Sequence, residues 1–388
     1  MLCLDVVQII CDFCDLSTQI NLIKTCKEYD ENLKIRKLTA TNVTNPRVTQ
    51  EIILQKKFNQ LRYLEAGNNE ITNVNHLKDT LIELDCRGWK CGIYQEGINE
   101  LRKLQKLDAW DNNDITNVNH LKETLIVLDC SYGCNIHQEE INGLRKLQKL
   151  YASGNNKITN VNHLKDTLTE LSCDGSYCGI QQEGINGLHK LQKLNASYNN
   201  KITTVNHLKD TLIELDCSGG GIHQEGINEL QKLQKLYASD NNKITNVNHL
   251  KDTLIELYCL GWVCEIRQEG INELRKLQKL NVWHNHKIIN VNHLKDTLIE
   301  LDCGGSGCGI TQEGINELRK LQKLNASNNN KITNVNHLKD TLIELNCTGK
   351  CGIRQEGINE LRKLQKLNAQ SNEKITTASI KNIHPSHH

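Results

Sequence analysis

Leucine and other apolar residues recur along the chain in two alternating short patterns, and the pair of patterns returns every 41 to 44 residues. In one period the first pattern, L-x-x-L-x-A-x-x-N-x-x-I, is formed by Leu147, Leu150, Ala152, Asn155 and Ile158. The second pattern, L-x-x-L-x-C followed by a slightly longer turn, is formed by Leu168, Leu171, Cys173 and Ile180. Self-similarity at this period is typical of chains that stack repeated units instead of folding around one core.

The two patterns resemble leucine-rich repeats, with lengths of about 21 and 21–23 residues. In that family the L-x-x-L-x-L stretch is a short strand, and successive strands stack into one parallel sheet. The resemblance predicts an α/β solenoid, a leucine-rich-repeat horseshoe with a parallel concave β-sheet, built from about 15 repeats. We expect this solenoid to cover residues 35–388 and a separate helical segment to cover residues 1–34. Because a single repeat cannot bury its own apolar face, stability should come from contacts between neighbours.

The third position of each strand is expected to face solvent, and it carries opposite charges in the two patterns. The lysines are Lys106, Lys149, Lys193, Lys235, Lys279, Lys323 and Lys366. The glutamates are Glu83, Glu170, Glu214, Glu256, Glu300 and Glu344. Because the patterns alternate, each Lys should lie beside Glu in a cross-strand ladder, worth roughly a few tenths of a kcal/mol per pair. Val127 interrupts the ladder.

Large, mostly aromatic side chains depart from the repeat pattern around three consecutive predicted strands. The residues are Tyr237, Tyr258, Leu260, Trp262, Trp283 and His284. On an otherwise small and polar concave wall, such a cluster is a candidate binding surface for a target protein. A smaller set lies nearer the N-terminus and comprises Trp89, Trp110, Tyr132 and Tyr151. The alternative interpretation is that repeats drift and that exposed single aromatic residues are common.

Three residue types recur in columns, for which the sequence favours structural roles. The Asn at the ninth position of the first pattern is expected to satisfy backbone groups where strand turns into loop. Cys at the sixth position of the second pattern, and a further Cys four or five residues later, favour a column of small buried thiols; a metal site or local disulfides are the alternatives. The His of V-N-H-L-K is expected to be an ordinary surface residue. We predict no metal and no cofactor.

Composition narrows the function further. The formal charge is +1, with 47 basic and 46 acidic residues, which argues against a nucleic-acid or acidic-membrane binder. The sequence contains no run of 18 apolar residues, and its start lacks the basic region of a signal peptide. Its cysteine usage fits a reducing cytosol. We find no phosphate loop, nucleophile elbow or zinc-protease motif, so we expect a protein that is not an enzyme.

The N-terminal segment, residues 1–34, has a pattern unlike that of the repeats. The pattern L-P-x-E-[IV]-L-x-x-I-[FL]-x-[YF]-L-D is matched by Leu2, Asp5, Val6, Val7, Ile10, Phe13, Asp15 and Leu16. A following leucine-rich helix that ends in C-[KR]-x-[WF] is matched by Leu22, Cys26, Lys27 and Tyr29. With these residues the segment resembles the F-box, a short helical module. Cys3 stands where the family usually has Pro, and Tyr29 where Trp is commoner. The Asn- and Lys-rich repeats also look like proteins of large DNA viruses that infect amoebae.

The F-box resemblance implies a function. In that family the F-box docks a Skp1-type linker and the repeats hold the substrate of a Skp1-cullin-F-box ubiquitin ligase. The resemblance assigns linker binding to Leu2, Val6, Val7, Ile10 and Leu16, and it implies a cytoplasmic protein, in the host cytoplasm if the chain is viral. The alternative is a leucine-rich-repeat scaffold with no ubiquitin role, whose N-terminus only shields the apolar edge of the first repeat.

Overall fold

A computed structural model describes residues 3–39, 48–67 and 69–376 of the chain. The chain divides into two compact units, Met1–Leu191 and Gln192–His388, which are described one at a time. In the described residues, no helix is long and apolar enough to cross a membrane.

The first unit begins with helices and continues as repeats. Its helices are α1 (Leu4–Phe13), α2 (Leu16–Ile23), α3 (Lys27–Asn32), α4 (Gln50–Ile53) and α5 (Gln138–Ile141). Its strands are β1 (Lys37–Leu38), β2 (Tyr63–Glu65), β3 (Glu83–Asp85), β4 (Lys106–Asp108), β5 (Val127–Asp129), β6 (Lys149–Tyr151) and β7 (Glu170–Ser172). Its 3-10 turns are Lys56–Phe58, Asn75–Leu77, Gln95–Gly97, Asn119–Leu121, Asn162–Leu164 and Gln182–Gly184.

The second unit consists of repeats throughout its described residues. Its strands are β8 (Lys193–Asn195), β9 (Glu214–Asp216), β10 (Lys235–Tyr237), β11 (Glu256–Tyr258), β12 (Lys279–Asn281), β13 (Glu300–Asp302), β14 (Lys323–Asn325), β15 (Glu344–Asn346) and β16 (Lys366–Asn368). Its 3-10 turns are Asn206–Leu208, Gln224–Gly226, Asn248–Leu250, Gln268–Gly270, Asn292–Leu294, Asn336–Leu338 and Gln355–Gly357.

Within each unit, successive strands pair in parallel and in register. In the second unit, for example, Lys235 pairs with Glu256, and Leu236 with Leu257. The leucines turn to one side of the sheet and are buried, whereas the third and fifth positions lie on the other side, which we call the open face. The predicted leucine-rich-repeat solenoid with a parallel sheet is confirmed. The helical segment ends at Asn32 and the first strand begins at Lys37.

The charge ladder forms on the open face of both units. Lys149 lies 2.8 Å from Glu170 in the first unit. Lys279 in the second unit lies 3.8 Å from both Glu256 and Glu300. The ladder therefore pairs opposite charges on adjacent strands while leaving the surface nearly neutral.

A buried asparagine column connects each repeat to the one before it. Asn241, 1% exposed, donates from Nδ2 to the carbonyls of Cys217 at 2.9 Å and Ile222 at 3.1 Å. Its Oδ1 accepts from the backbone N–H groups of Lys243 at 2.9 Å and Ile244 at 3.1 Å. One buried side chain thus makes four hydrogen bonds to backbone groups of two neighbouring repeats.

The second cysteine column, which follows the strand in the other repeat type, also bonds to the preceding repeat. Asn241 donates to Cys217, at the sixth position of the preceding repeat. Cys264 donates likewise to the carbonyl of Ala238, again at the sixth position of the preceding repeat, at 3.5 Å. The thiols are buried, as predicted, and burial raises the pKa of thiols such as Cys134 to about 12. All 17 cysteines lie in the described ranges and none forms a disulfide.

The histidine column lies at the surface, as predicted, but its rings are not free. The Nε2 atom of His249 hydrogen-bonds the carbonyl of Ile227 in the preceding repeat at 3.0 Å, and His337 bonds Ile315 in the same way. Partial burial lowers the pKa of both imidazoles, which favours the neutral ring. The column therefore connects neighbouring repeats on the side away from the sheet.

Candidate protein-binding surfaces

The open face of the second unit carries a stacked pair of tyrosines. Tyr237 and Tyr258 occupy the fifth position of strands β10 and β11 and face each other in the sheet register. Their ring centroids lie 4.5 Å apart with 13° between the ring planes. The Tyr258 hydroxyl donates to Glu256 at 3.3 Å. Burial, together with the Glu256 charge, raises the pKa of Tyr258 to about 12, so the phenol is neutral at physiological pH.

Two tryptophans and a histidine form a second ring cluster in the turns after β11 and β12. Trp262 stacks on His284 with centroids 5.1 Å apart, and Trp283 meets the same imidazole edge-on at 3.9 Å. The Trp262 indole lies over Gly307, where any Cβ would collide with the ring. Trp262 is 57% exposed and Trp283 42% exposed, so the cluster is supported from beneath and open to solvent above.

The six residues predicted as a concave-face binding surface therefore lie in the second unit as two ring clusters, with Leu260 half-exposed between Tyr258 and Trp262 in the chain. We call these six residues the aromatic patch. Sequence reasoning missed Val263, which is 55% exposed next to Trp262. The sequence feature that could have identified Val263 is an apolar side chain in a turn, where the repeat pattern requires none.

A groove of about 660 Å³ runs beside Tyr258 along the open face. Its charged walls come from the ladder, and its floor from fifth-position residues. Its lining includes Tyr258, Asn281, Asp302, Asn325, Asn346 and Asn368, and we call the surface formed by these six residues the amide groove. Burial raises the pKa of Asp302, whereas hydrogen bonds from Gly304 and Asn325 lower it.

The smaller aromatic set in the first unit does not form one cluster. Trp110 and Tyr132 meet edge-to-face with centroids 5.8 Å apart. Trp89, 69% exposed, instead lies under the ammonium group of Lys90, which is 4.6 Å from the ring centroid. The Tyr151 hydroxyl donates to Glu170 at 2.7 Å. These four aromatic side chains are therefore divided among one ring pair and two separate polar partners.

Carboxylates crowd the open face of the first unit near the interrupted ladder. Asp108 lines a cavity of about 300 Å³ with Val127 and Asp129. Burial, and then the Asp129 charge, raises the pKa of Asp108 to about 6. Arg87 lies 3.0 Å from Asp108 and 2.6 Å from Asp85, and so offsets part of this charge. In the described residues, no group of three or more His, Cys, Asp or Glu side chains is placed to hold a metal ion.

The N-terminal helices pack on the first repeat through one face of α1. Gln8 exchanges two hydrogen bonds with the backbone of Lys34, each 2.8 Å long, and Arg36 lies 3.1 Å from Asp12. Val7 and Cys11 are buried on the same face. The helices thus pack against the start of the first repeat at Lys34 and Arg36, and their role as a cap stays a prediction.

The opposite face of α1 is apolar and exposed. Val6, Ile9, Ile10 and Phe13 are 41%, 56%, 46% and 89% exposed, and their spacing places them on one side of the helix. Among the predicted linker-binding residues, Val6 and Ile10 belong to this stripe. Val7 and Leu16 do not, because they are only 5% and 6% exposed and pack inward. Leu2 lies outside the described residues.

The division of α1 into two faces corrects the surface expected from the sequence. Val7 packs inward because Gln8, beside it in the helix, is fixed to the Lys34 backbone. Leu16 begins α2 behind the Asp15 cap, which accepts a hydrogen bond from the Thr18 N–H at 2.8 Å. Ile9 and Phe13, instead of Val7 and Leu16, contribute to the exposed surface. Binding of a linker by this surface stays a prediction.

Comparisons with known proteins agree on the fold. Protein-family models and curated proteins gave no match to the sequence. The functional domain of InlJ from Listeria monocytogenes, described as including a cysteine ladder, matches with a TM-score of 0.54 at 24% identity. That match covers 76% of this chain and 64% of the other, so the chain spans less than two thirds of the length of that relative.

Two further solved structures are similar over most of the chain. A leucine-rich-repeat protein of Leptospira interrogans has a TM-score of 0.54 at 21% identity, covering 90% of this chain and 98% of its own. The Listeria internalin InlF has a TM-score of 0.52 at 19% identity, covering 90% and 92%. At these identities the likeness shows the fold alone, and that fold is a leucine-rich-repeat solenoid.

Proposed function

We propose that this protein is a non-enzymatic protein-binding scaffold whose main contact surface is the aromatic patch. The observation that carries the proposal is the pair of exposed tryptophans, Trp262 and Trp283, fixed by ring contacts to His284. Large aromatic side chains that are ordered before binding lose little conformational entropy and dominate protein interfaces. The self-paired Lys–Glu ladder around the patch adds little net charge, so shape and apolar contact would select the partner.

A more specific function joins the patch to the N-terminal helices. In this proposal the exposed stripe of α1 binds a Skp1-type linker and the open face of the repeats holds the target of a ubiquitin ligase. Support comes from the resemblance of residues 1–34 to the F-box and from the exposure of Val6 and Ile10. The protein would act in the cytosol, where its thiols stay reduced, and in the host cytoplasm if the chain is viral.

A scaffold without any ubiquitin role is the second candidate. It is favoured by the two hydrogen bonds between Gln8 and Lys34, which fix α1 to the first repeat as a cap. A cap and a docking helix are compatible, because they use opposite faces of α1. The two functions therefore differ only in whether a linker binds the exposed face.

Affinity capture from amoebal or other host-like cytosol tests the patch. Proteins retained by the full-length chain are identified, and the affinity of each purified candidate is then measured by calorimetry. We expect the Trp262→Ala/Trp283→Ala double variant to lose a partner that the wild-type protein binds. Trp89→Ala removes a similarly exposed indole from the other unit and should bind normally. Equal retention of every partner by the double variant would refute the proposal.

Direct binding to a purified Skp1-type protein tests the linker function. Val6→Asp/Ile10→Asp places charges on the exposed stripe without touching the buried face, so folding should be preserved. Ile289→Asp changes an apolar side chain that is 51% exposed on the second unit and serves as the control. Binding by wild type and control but not by the double variant supports the ligase function. Absence of wild-type binding leaves the simple scaffold.

A further inference from the structure

The amide groove presents no unpaired charge to a ligand. Lys323 lies 3.6 Å from Glu300 and 3.9 Å from Glu344, and Lys366 lies 3.0 Å from Glu344. Asp302 accepts from the Gly304 N–H at 3.1 Å and from Asn281 at 3.4 Å. Because each of these ladder charges already has a partner of opposite sign, the groove offers a charged ligand no net charge to attract it. An uncharged ligand is favoured.

The unused polar groups of the groove are hydrogen-bond donors. Asn346 accepts the Thr348 N–H at 3.2 Å through Oδ1, and Asn368 accepts the Gln370 N–H at 3.3 Å in the same way. These bonds fix the orientation of each amide and leave its NH₂ group to donate. None of the described residues accepts a hydrogen bond from Nδ2 of Asn346 or Asn368. A fitting ligand should therefore supply acceptors.

A proline-rich chain has the matching chemistry. Its carbonyl groups make no internal hydrogen bonds in the polyproline II conformation, and each proline lacks an N–H. It accepts hydrogen bonds without needing acceptors in return. An ordinary peptide or a glycan would also bring donors, which would compete with Lys323, Lys366 and Asn281 for the carboxylates of Glu300, Glu344 and Asp302.

The repeat distance of the groove also matches this conformation. Strands lie about 4.8 Å apart, so one Lys–Glu pair of strands repeats every ~9.6 Å. Three residues of polyproline II advance ~9.3 Å. An ordinary extended strand, whose side chains repeat every ~6.6 Å on one face, would lose register with the Lys–Glu alternation. A polyproline II segment would meet the same environment once per turn.

Tyr258 supplies an aromatic wall at one end of the groove. Stacking on Tyr237 and the hydrogen bond to Glu256 hold its ring in one orientation. Aromatic-lined grooves are the usual receptors for polyproline II segments, because flat prolyl rings pack on them at low entropic cost.

We propose that the amide groove binds an uncharged, proline-rich segment of a partner protein in the polyproline II conformation, running across strands β11 to β16. This inference rests on the proposed function, since it names the kind of segment that the open face recognises. The distance across these strands is about 24 Å, which corresponds to roughly eight residues at ~3.1 Å each.

Fluorescence anisotropy of the full-length protein with a labelled decaproline peptide, acetylated and amidated at its ends, tests the inference. Asn346→Asp and Asn368→Asp keep the Oδ1 acceptor but replace the donor group with a second acceptor. Asp302 makes the same bond to the backbone two residues on, so the fold should tolerate both changes. We expect saturable binding that each variant weakens by about tenfold, the equivalent of ~1.4 kcal/mol. Asn195→Asp, at the fifth position of β8 and outside the groove lining, should bind as wild type does.

Three results would overturn the inference. They are no saturable binding of decaproline, binding that Asn346→Asp and Asn368→Asp leave unchanged, and tighter Asn346-dependent binding of a Gly-Ser decapeptide or of maltohexaose. Partner capture by the tryptophan variants is measured separately. If decaproline fails while Trp262 and Trp283 are still needed for capture, the proposed function stands and only the inference fails. If decaproline binds as expected but capture does not need the tryptophans, the groove binds the segment as inferred and the proposed role of the tryptophans fails.

Discussion

Replacement of Asn241 by alanine removes one rung of the asparagine column and should destabilise the second unit. The side chain is 1% exposed and makes two hydrogen bonds as donor and two as acceptor, all to backbone groups. Alanine cannot replace any of them. The carbonyl of Ile222 would lose this partner, whereas the carbonyl of Cys217 would keep the Gly220 N–H at 3.1 Å.

The expected loss follows from these bonds. Each buried hydrogen bond contributes about 1 kcal/mol net, and a buried group left without a partner costs about 1–3 kcal/mol. With four bonds lost and water entering part of the space, we expect the free energy of unfolding to fall by about 3–5 kcal/mol. The effect should extend to neighbouring repeats, since each repeat is stabilised by the next.

Urea unfolding followed by circular dichroism measures this loss. Because a long repeat array need not unfold in one step, hydrogen exchange of the amides of Lys243 and Ile244 provides a local measurement. Asn242→Ala is the matched control, since Asn242 is the exposed neighbour. A loss below about 1 kcal/mol, or equal losses for the two variants, would refute the assigned role of the column.

Three further changes test other parts of the structure. Partial burial lowers the pKa of His249 below its ordinary 6.5. The unfolded chain therefore binds the proton first, and stability should fall as the pH drops below 6.5. His249→Gln should reduce this pH dependence in urea midpoints measured at pH 7.5 and 5.5. The pKa of Asp108 is raised to about 6 from 3.8, so the ionised carboxylate lowers the stability of the folded protein above pH 6. Asp108→Asn should therefore raise the free energy of unfolding by about 1–2 kcal/mol at pH 7.5. Thermal melts should show this gain disappearing by pH 4. Gly175 has φ +90°, and a Cβ added there would meet only the Gly154 backbone, at an ordinary contact distance of 3.8 Å. Gly175→Ala should therefore lose about 1–2 kcal/mol through backbone strain, with Ser176→Ala in the same urea assay unchanged.

Most of the repeat architecture was predictable because its determinants are local and repeated. The leucine spacing set the strands, and the alternation of Lys and Glu set the ladder that the structure contains. The tyrosine stack also followed from register, since Tyr237 and Tyr258 share the fifth strand position. Because the same spacing recurs in every repeat, an error in the assigned strand register would have been visible in all of them.

The features that escaped prediction depend on contacts between distant residues. Both faces of α1 carry apolar residues, and the buried face is the one that bonds Lys34 through Gln8 and Arg36 through Asp12, 26 and 24 residues apart. The imidazole bonds of the histidine column reach back 22 residues in the case of His249. Trp89 was grouped with other aromatic residues, but its ring contacts the ammonium group of its neighbour Lys90 instead.

The central claim is that the aromatic patch is the contact surface for a protein partner, and hydroxyl-radical footprinting tests it most directly. The full-length protein is labelled alone and with a saturating amount of a purified captured partner, and side-chain oxidation is measured by mass spectrometry. The account predicts strong protection of Trp262 and Trp283, both exposed in the free protein, and no change at Trp89. Unaltered oxidation of Trp262 and Trp283 in the saturated complex would contradict it.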